Sequence, residues 1–353
     1  MQIPGYPFYD MIHPEFSPQD LTDEQLVGQR LVVGFEGKTA DHALEEMIRE
    51  LRVGGLVLFK RNVGEPAQLA ALCGSAQSFA ARQGLPPLLI CIDQEGGPVA
   101  RLGPPFTVFP GARHIGERRS TDAAQAFGRT TADELRSVGI NVNFAPVLDV
   151  VPEGLDRPVM AERVFGSSAD LVADLGTTVI RSLQENGVAA TAKHFPGIGR
   201  TVVDSHLERP VLDTPGRVLA ATDLVPFRAA VDAGVEAVMF SHVVYEDLDP
   251  HWPASLSSVV SQELLRKTLG FQGVTFTDDL DMGAIEKHYD VPAVARRIVE
   301  APIDIALVCR NQKKAAAIHE ALLKTVRTSQ AAREQCVNSV TRILRLKQGL
   351  VRS

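Results

Sequence analysis

Residues 168–194 read SADLVADLGTTVIRSLQENGVAATAKH, and this stretch decides the fold. Apolar residues recur at spacings of three and four from Ser168 to Asn186, which predicts an amphipathic helix. Gly187 follows, as expected where a helix ends on a left-handed residue. The short apolar run Ala189–His194 then predicts a buried strand. The stretch is therefore one helix–strand unit of an α/β protein.

The same unit recurs along the whole chain. Further helical patterns cover Glu65–Arg82, Thr121–Val138, Ala220–Ala233 and Lys313–Arg327, and glycines mark helix ends at Gly139 and Gly234. The short apolar runs are Leu31–Phe35, Gly55–Phe59, Leu88–Asp93, Val142–Asp149, Ala189–His194, Glu236–His242, Val274–Asp278 and Asp304–Cys309. Eight such strands with crossover helices predict an α/β protein with one (β/α)₈ TIM-type barrel.

The predicted barrel domain covers residues 25–353, preceded by an N-terminal extension over residues 1–24. Leu21–Gln29 is predicted as a leading helix and Ala331–Leu346 as a final helix that covers the barrel. A doubly wound open sheet is the alternative architecture. It requires a glycine-rich phosphate loop after the first strand, whereas Glu36-Gly37-Lys38-Thr39 matches neither GxGxxG nor the P-loop. The barrel is favoured.

Composition narrows the class of protein. The 353 residues are 45% hydrophobic, with a net charge of −7. No basic block is present, which argues against nucleic acid as a partner. No run approaches the roughly 20 apolar residues of a membrane span, and MQIPGYPFYDMIHPEF shows no signal-peptide pattern. A cytoplasmic enzyme is predicted, with no protein partner indicated.

The four cysteines are widely spaced, and none forms a CxxC pair. In a chain of this length the pattern predicts reduced core residues rather than a disulfide framework. They are Cys73, Cys91, Cys309 and Cys336.

Polar residues follow five of the predicted strands. In a (β/α)₈ barrel these ends meet at the C-terminal mouth, where barrel enzymes carry their chemistry. A single Asp or His at such a position is often only a helix cap, and Asp149 before Val-Val-Pro is interpreted as a turn. The strand-end groups are Asp93-Gln94-Glu95, Asp149, Lys193-His194, Ser241-His242 and Asp278-Asp279.

The segment after the fifth strand, KHFPGIGRTVVDSH from Lys193 to His206, is the most specific signal. Its proline and two glycines predict a loop. Asp204 and His206 lie two residues apart, and a carboxylate beside a histidine orients the ring and favours its protonated form. Such a pair serves as general acid and then general base. No further His or Cys ligands with standard spacing accompany it, so no metal site is predicted.

Blocks spread over residues 30–310 together resemble glycoside hydrolase family 3. KHFPGIGRTVVDSH resembles the family signature, and IDQEGGPVARL resembles the family's strand-three motif. NFAPVLDV, followed by RVFG, resembles strand four and its loop. FTDDLDMGAI resembles the strand-seven motif. PASLS resembles a segment after strand six. More narrowly, the chain is similar to single-domain bacterial β-N-acetylglucosaminidases of peptidoglycan recycling.

The resemblance implies a role for each matched residue. Asp278 matches the nucleophile, His206 the acid/base and Asp204 its partner. A small carbohydrate, an N-acetylglucosaminyl fragment, is the implied substrate, and no cofactor is needed. The residues that match those holding the sugar are Asp93, Arg101, Arg163, Lys193 and His194.

Three positions depart from the family pattern. Ile198 stands where G-H-G is often found, and Val164 where the arginine loop commonly reads RSFG. Ala301-Pro302-Ile303-Asp304 replaces a more usual Ala-Gly-x-Asp, with an effect expected to be structural. The first two are expected to change the rate or leaving-group preference without abolishing activity.

The predicted function is retaining hydrolysis of a terminal β-linked N-acetylglucosamine through a covalent intermediate on Asp278. Only helical pattern follows the eighth strand, so the acid/base is expected within the barrel, on the Asp204–His206 loop. One alternative is a barrel-only β-glucosidase or other β-hexosidase. Another, from a different class, is a non-catalytic sugar-binding barrel.

Overall fold

The structure, a computed structural model, describes residues 16–205 and 207–352, with Arg352 by its backbone only. Eight parallel strands form a closed barrel in chain order. The last strand pairs with the first, Ala306 lying opposite Leu31. The strands are β1 Leu31–Gly34, β2 Gly55–Leu58, β3 Leu89–Ile92, β4 Val142–Asn143, β5 Ala189–Phe195, β6 Ala237–Phe240, β7 Val274–Asp279 and β8 Ile305–Val308. The predicted (β/α)₈ barrel is confirmed, with one strand in each apolar run.

Helices surround the barrel and connect its strands. Those before β5 are α1 Asp23–Gly28, α2 His42–Leu51, α3 Pro66–Arg82, α4 Ala112–Arg118, α5 Thr121–Ser137 and α6 Ala169–Glu185. Those after it are α7 Gly216–Ala221, α8 Val225–Asp232, α9 Gly283–Glu286, α10 Val291–Glu300, α11 Gln312–Thr328 and α12 Gln330–Arg352. Residues Val259–Thr268 form a π-helical segment between β6 and β7. Of the predicted extension over residues 1–24, residues 1–15 lie outside the described part of the chain.

Local sequence signals set most helix ends. Thr22 and Gln25 form a reciprocal capping box at the start of α1, which satisfies two otherwise unpaired amides. The side chain of Ser168 caps α6 by accepting from the Leu171 amide. The predicted cap glycines adopt positive φ, for example 82° at Gly139 and 77° at Gly187.

The predicted single helix Ala220–Ala233 is wrong, because the structure has two helices there. Thr222 leaves the helical region, at φ −132° and ψ −71°. Pro226 then occupies the first turn of α8, a position that suits its fixed φ and missing amide hydrogen. The break buries Asp223, which accepts hydrogen bonds from Arg200.

The apolar core has two layers. One lies between the strands and the surrounding helices, and it contains most of the buried side chains. The other fills the barrel interior, and α12 contributes Ile343, Leu346 and Leu350 to it. Lys347 on the same helix is buried and donates to Gln29 Oε1 at 2.6 Å. The final helix therefore closes the N-terminal end of the barrel.

The four cysteines are buried and free, as predicted: Cys73, Cys91, Cys309 and Cys336. Within the described ranges, no helix combines the length and the apolar character that crossing a membrane requires.

The carboxyl of Glu236, just before β6, is expected to make the stability of the protein depend on pH. Burial raises the pKa of its carboxyl from 4.5 to about 6. Since the folded-state pKa lies above the unfolded value, the folded protein binds more protons between these limits, and stability falls as Glu236 ionises. We expect Glu236→Gln to raise the free energy of unfolding by about 2 kcal/mol at pH 8, and to change it little near pH 4.

Urea unfolding at both pH values measures this difference. Glu320→Gln, which replaces an exposed side chain on α11, is the control and should change the free energy of unfolding equally at both. A pH-independent effect of Glu236→Gln would contradict the assignment.

Candidate active site

A cavity of about 330 Å³ opens at the C-terminal ends of the strands. Seven of the eight predicted site residues line it: Asp93, Arg101, Arg163, Lys193, His194, Asp204 and Asp278. His206 lies outside the described residues. The topology thus brings together side chains that are up to 185 positions apart in the sequence, from Asp93 to Asp278.

A short hairpin after β3 carries Arg101 back over Asp93. Gln94–Gly96 pairs antiparallel with Val99–Ala100, and Gln94 Oε1 accepts from the Arg101 amide at 2.8 Å. Arg101 Nη2 then donates to Asp93 Oδ2 at 2.9 Å. Gly97 turns the hairpin at φ 58° and packs so closely that a Cβ would come within 2.8 Å of Gly111 Cα. Only glycine fits there.

Lys193 links two carboxylates inside the cavity. Its Nζ lies 2.7 Å from Asp93 Oδ1 and 2.6 Å from Glu95 Oε1. Arg163 binds the same Glu95 through two contacts, Nε to Oε2 at 2.9 Å and Nη2 to Oε1 at 2.7 Å. Such two-pronged pairs fix the guanidinium in direction as well as distance. The four side chains therefore form one connected ion cluster.

The cluster keeps its members charged despite burial. Burial alone would raise the pKa of Asp93, but Lys193 and Arg101 hold it well below its usual range. Burial opposes ionisation of Glu95 as well, and Lys193 with Arg163 lowers its pKa. Conversely, burial disfavours the Lys193 ammonium, and Asp93 with Glu95 raises its pKa.

Asp149 belongs to the cluster of strand ends at the barrel mouth, and the turn predicted there is absent from the structure. Its carboxylate is buried, and Oδ2 lies 2.8 Å from His194 Nδ1. Oδ1 accepts from the Ile198 amide at 2.7 Å. A carboxylate on Nδ1 fixes the tautomer with the proton there and leaves Nε2 as an acceptor. His194 Nε2 lies 3.4 Å from Arg163 Nη2, so the histidine is in contact with the ion cluster.

Asp278 lies in the cavity near the end of β7. The pairing of β7 with β8 shifts register between Phe276 and Asp279, and such bulges redirect side chains at active sites. Asp278 Oδ1 accepts from the Asp279 amide at 2.8 Å. Burial would raise the pKa of Asp278, but His242, His194 and Lys193 bring it below its ordinary value. The carboxylate is therefore ionised and able to act as a nucleophile.

Asp279 holds the end of β7 in place. Its Oδ1 accepts from the amides of Asp281 at 3.0 Å and Cys309 at 3.1 Å, and burial raises its pKa to about 6. His242 contacts the Asp279 carbonyl through Nε2 at 2.9 Å and Ser255 Oγ through Nδ1 at 2.7 Å. These contacts support the strand end next to Asp278.

The residues at the departures from the family pattern are mostly buried. Ile198 is buried in the cavity wall. Val164 packs into the core and helps to anchor the loop of Arg163. Ile303 and Asp304 are buried, and Asp304 pairs with Arg266 and Arg342 at the far end of the barrel.

Glu95 and Phe59 also belong to the site, although the sequence assigned them no role. Glu95 lies in the segment Asp93-Gln94-Glu95, and its partners are far away in the chain. Phe59 lines the cavity with the guanidinium carbons of Arg61 and Arg101 at 4.6 and 5.3 Å from its ring centroid. Its position at the end of the predicted second strand is the sequence signal that could have placed Phe59 in the site.

Known proteins resemble this chain in sequence and in fold. The glycosyl hydrolase family 3 N-terminal domain matches residues 21–346. A beta-hexosaminidase of Thiobacillus denitrificans (strain ATCC 25259 / T1) is 39% identical over 269 residues, which are 74% of this chain and 73% of that protein.

Two solved structures show the same likeness. A glycoside hydrolase family 3 beta-N-acetylglucosaminidase from Paenibacillus sp. str. FPU-7 has a TM-score of 0.91 and 43% identity, over 94% of this chain. The match spans less than two thirds of the Paenibacillus chain, 64%. A beta-N-acetylhexosaminidase from Beutenbergia cavernae DSM 12333 has a TM-score of 0.86 and 32% identity, over 93% of this chain and 99% of that one.

Fold and site together define a (β/α)₈-barrel glycoside hydrolase, with a polar pocket around an ionised carboxylate at the mouth of the barrel. The chain belongs to glycosyl hydrolase family 3. The resemblance seen in the sequence is confirmed.

The ion cluster predicts a role for Glu95 that can be measured. Glu95→Gln preserves shape but leaves Lys193 and Arg163 short of a buried counter-charge. We expect a loss of about 3 kcal/mol in the free energy of unfolding. We also expect a roughly tenfold higher KM for an aryl β-glycoside, because the cations are no longer held in place.

Glu162→Gln is the matched control, since Glu162 pairs with Arg113 on the exposed surface. It should leave both quantities nearly unchanged. Equal effects of the two variants would show that the buried pairing does not matter.

Proposed function

We propose that the chain is a retaining exo-glycosidase that hydrolyses terminal β-linked N-acetylglucosamine. The observation that carries the proposal is the ionised Asp278 facing a cavity that Asp204 also lines. The names of the relatives support the choice of sugar. Peptidoglycan fragments in the cytoplasm are the proposed source, with residues 25–353 as the catalytic barrel and 1–24 as an extension.

The proposed mechanism has two displacements at the anomeric carbon. In the first, an Asp278 oxygen forms a bond to this carbon while the glycosidic carbon–oxygen bond breaks, and His206 gives its proton to the leaving oxygen. In the second, His206 removes a proton from water, which displaces Asp278 and releases the sugar. Asp204 orients His206 throughout. A histidine suits both directions of proton transfer near neutral pH.

The ion cluster provides the proposed sugar contacts. Asp93, Lys193 and Arg163 present charged acceptors and donors to the cavity, and sugar hydroxyls bind to such groups. The Nε of Arg101 is buried without a hydrogen-bond partner among the described residues. Because an unpaired buried group is costly, a misplaced hydroxyl is discriminated against. His194, held by Asp149 and Arg163, completes this wall.

Initial rates on aryl β-N-acetylglucosaminide and aryl β-glucoside, measured side by side, test the proposal. We expect turnover of the acetamido sugar, and a loss of roughly 10⁴-fold or more in kcat for Asp278→Ala. Azide should restore turnover in this variant by replacing the missing nucleophile. Asp122→Ala, at an exposed position on α5, should behave as wild type.

Preference for the glucoside would favour the β-glucosidase alternative with the same mechanism. A full rate in Asp278→Ala would exclude Asp278 as the nucleophile. Binding of the sugar without turnover by the wild type would indicate the sugar-binding barrel.

A further inference from the structure

The segment that follows the nucleophile strand contacts the loop that carries Asp204. We call residues 283–289 the docking segment and residues 204–209, without His206, the Asp204 loop. The Ala284 amide donates to the Ser205 carbonyl at 3.1 Å. Lys287 Nζ donates to the Leu207 carbonyl at 2.6 Å. These two carbonyls belong to the residues on either side of position 206.

Two further contacts extend the same attachment. Lys287 Nζ lies 2.6 Å from Glu208 Oε1. Arg209 Nη1 donates to the hydroxyl of Tyr289 at 2.9 Å. The loop therefore contacts the docking segment at Ser205, Leu207, Glu208 and Arg209.

The docking segment is itself firmly placed. Ala284 and Ile285 are buried, and Ile285 belongs to the core between the barrel and its helices. The ring of Tyr289 stacks on Trp252 with centroids 5.3 Å apart, and the guanidinium carbon of Arg297 lies 4.6 Å from the Trp252 ring centroid. The segment begins five residues after Asp278, so its position follows the end of β7.

We infer that Lys287 is a positioning residue that holds the Asp204 loop at a fixed place relative to Asp278, so that the leaving oxygen can be protonated. The inference rests on the proposed function, because it assumes that this loop provides the acid. Lys287 links the two proposed reactive groups, because it follows the strand of Asp278 and donates a hydrogen bond to the Asp204 loop.

The carbonyl contact, rather than the ion pair, is assigned this role. The side chains of Lys287 and Glu208 are 52% and 59% exposed, and exposed ion pairs contribute little. The Leu207 carbonyl, by contrast, is part of the loop backbone, so holding it restricts the path of the chain. Glu208→Gln removes the ion pair alone, whereas Lys287→Met removes both contacts.

Substrates with different leaving groups distinguish a misplaced acid from a general loss of activity. Departure of 2,4-dinitrophenolate needs no proton, whereas departure of phenolate does. For the phenyl N-acetylglucosaminide we expect Lys287→Met to lower kcat/KM by roughly tenfold, a part of what general acid catalysis contributes. For the dinitrophenyl substrate kcat/KM should stay within about twofold of wild type, because it reports the first displacement only.

The companion variants complete the design. Glu208→Gln should match wild type on both substrates, and Lys287→Arg should restore most of the phenyl rate because it retains a donor. An equal loss on both substrates in Lys287→Met, or no loss on either, would overturn the inference.

The variant His206→Ala tests the assignment of the acid independently of the role of Lys287. It should show the same leaving-group dependence in a stronger form. If it does while Lys287→Met does not, the inference is overturned and the proposed function stands. If His206→Ala affects both substrates equally, the assignment of the acid is overturned, and the role of Lys287 with it.

Discussion

The rest of the site depends on the pairing of buried charges at the mouth of the barrel. Glu95 is the shared anion, with Lys193 at 2.6 Å and Arg163 at 2.7 Å. A buried charge without a partner costs several kcal/mol, so these side chains have little freedom to be elsewhere. Because Glu95 follows β3, Lys193 lies on β5 and Arg163 on the loop after β4, one cluster fixes the geometry of three separate parts of the chain.

Two strands that contribute side chains to the cavity, β5 and β7, both depart from regular pairing. In β5, Lys193 and Phe195 lie opposite consecutive residues of β6. In β7, the register to β8 shifts just before Asp279. A regular strand sends neighbouring side chains to opposite faces, whereas an extra residue breaks this alternation. Lys193 and His194 consequently both line the cavity although they are adjacent in sequence.

The sequence predicted the barrel well because buried parallel strands are apolar on both faces and leave a clear signal. Convergence of the strand ends then followed from topology alone. Long-range pairing explains the errors: Asp149 has the local sequence of a turn, and its partner His194 lies 45 residues away. Glu95 was named among the polar strand ends, but its role was not predicted, because its partners Lys193 and Arg163 are also far away in the sequence. The break between α7 and α8 at Thr222–Leu224 was not predicted, because the apolar spacing continues through it. The pairing of the buried Asp223 with Arg200 lies at the break but leaves no periodic signal in the sequence.

The position of the last helix in the sequence means that the core of the barrel is completed late in synthesis. Ile343, Leu346 and Leu350 fill the interior at the N-terminal end, yet they follow all eight strands along the chain. During synthesis the strands therefore leave the ribosome before the side chains that finish their inner packing. Until α12 docks, the interior around Val32 and Val142 lacks its apolar cover, and water has access to it. A nascent chain can form the strands early, but it reaches a closed core only after the residues that follow β8 have been made.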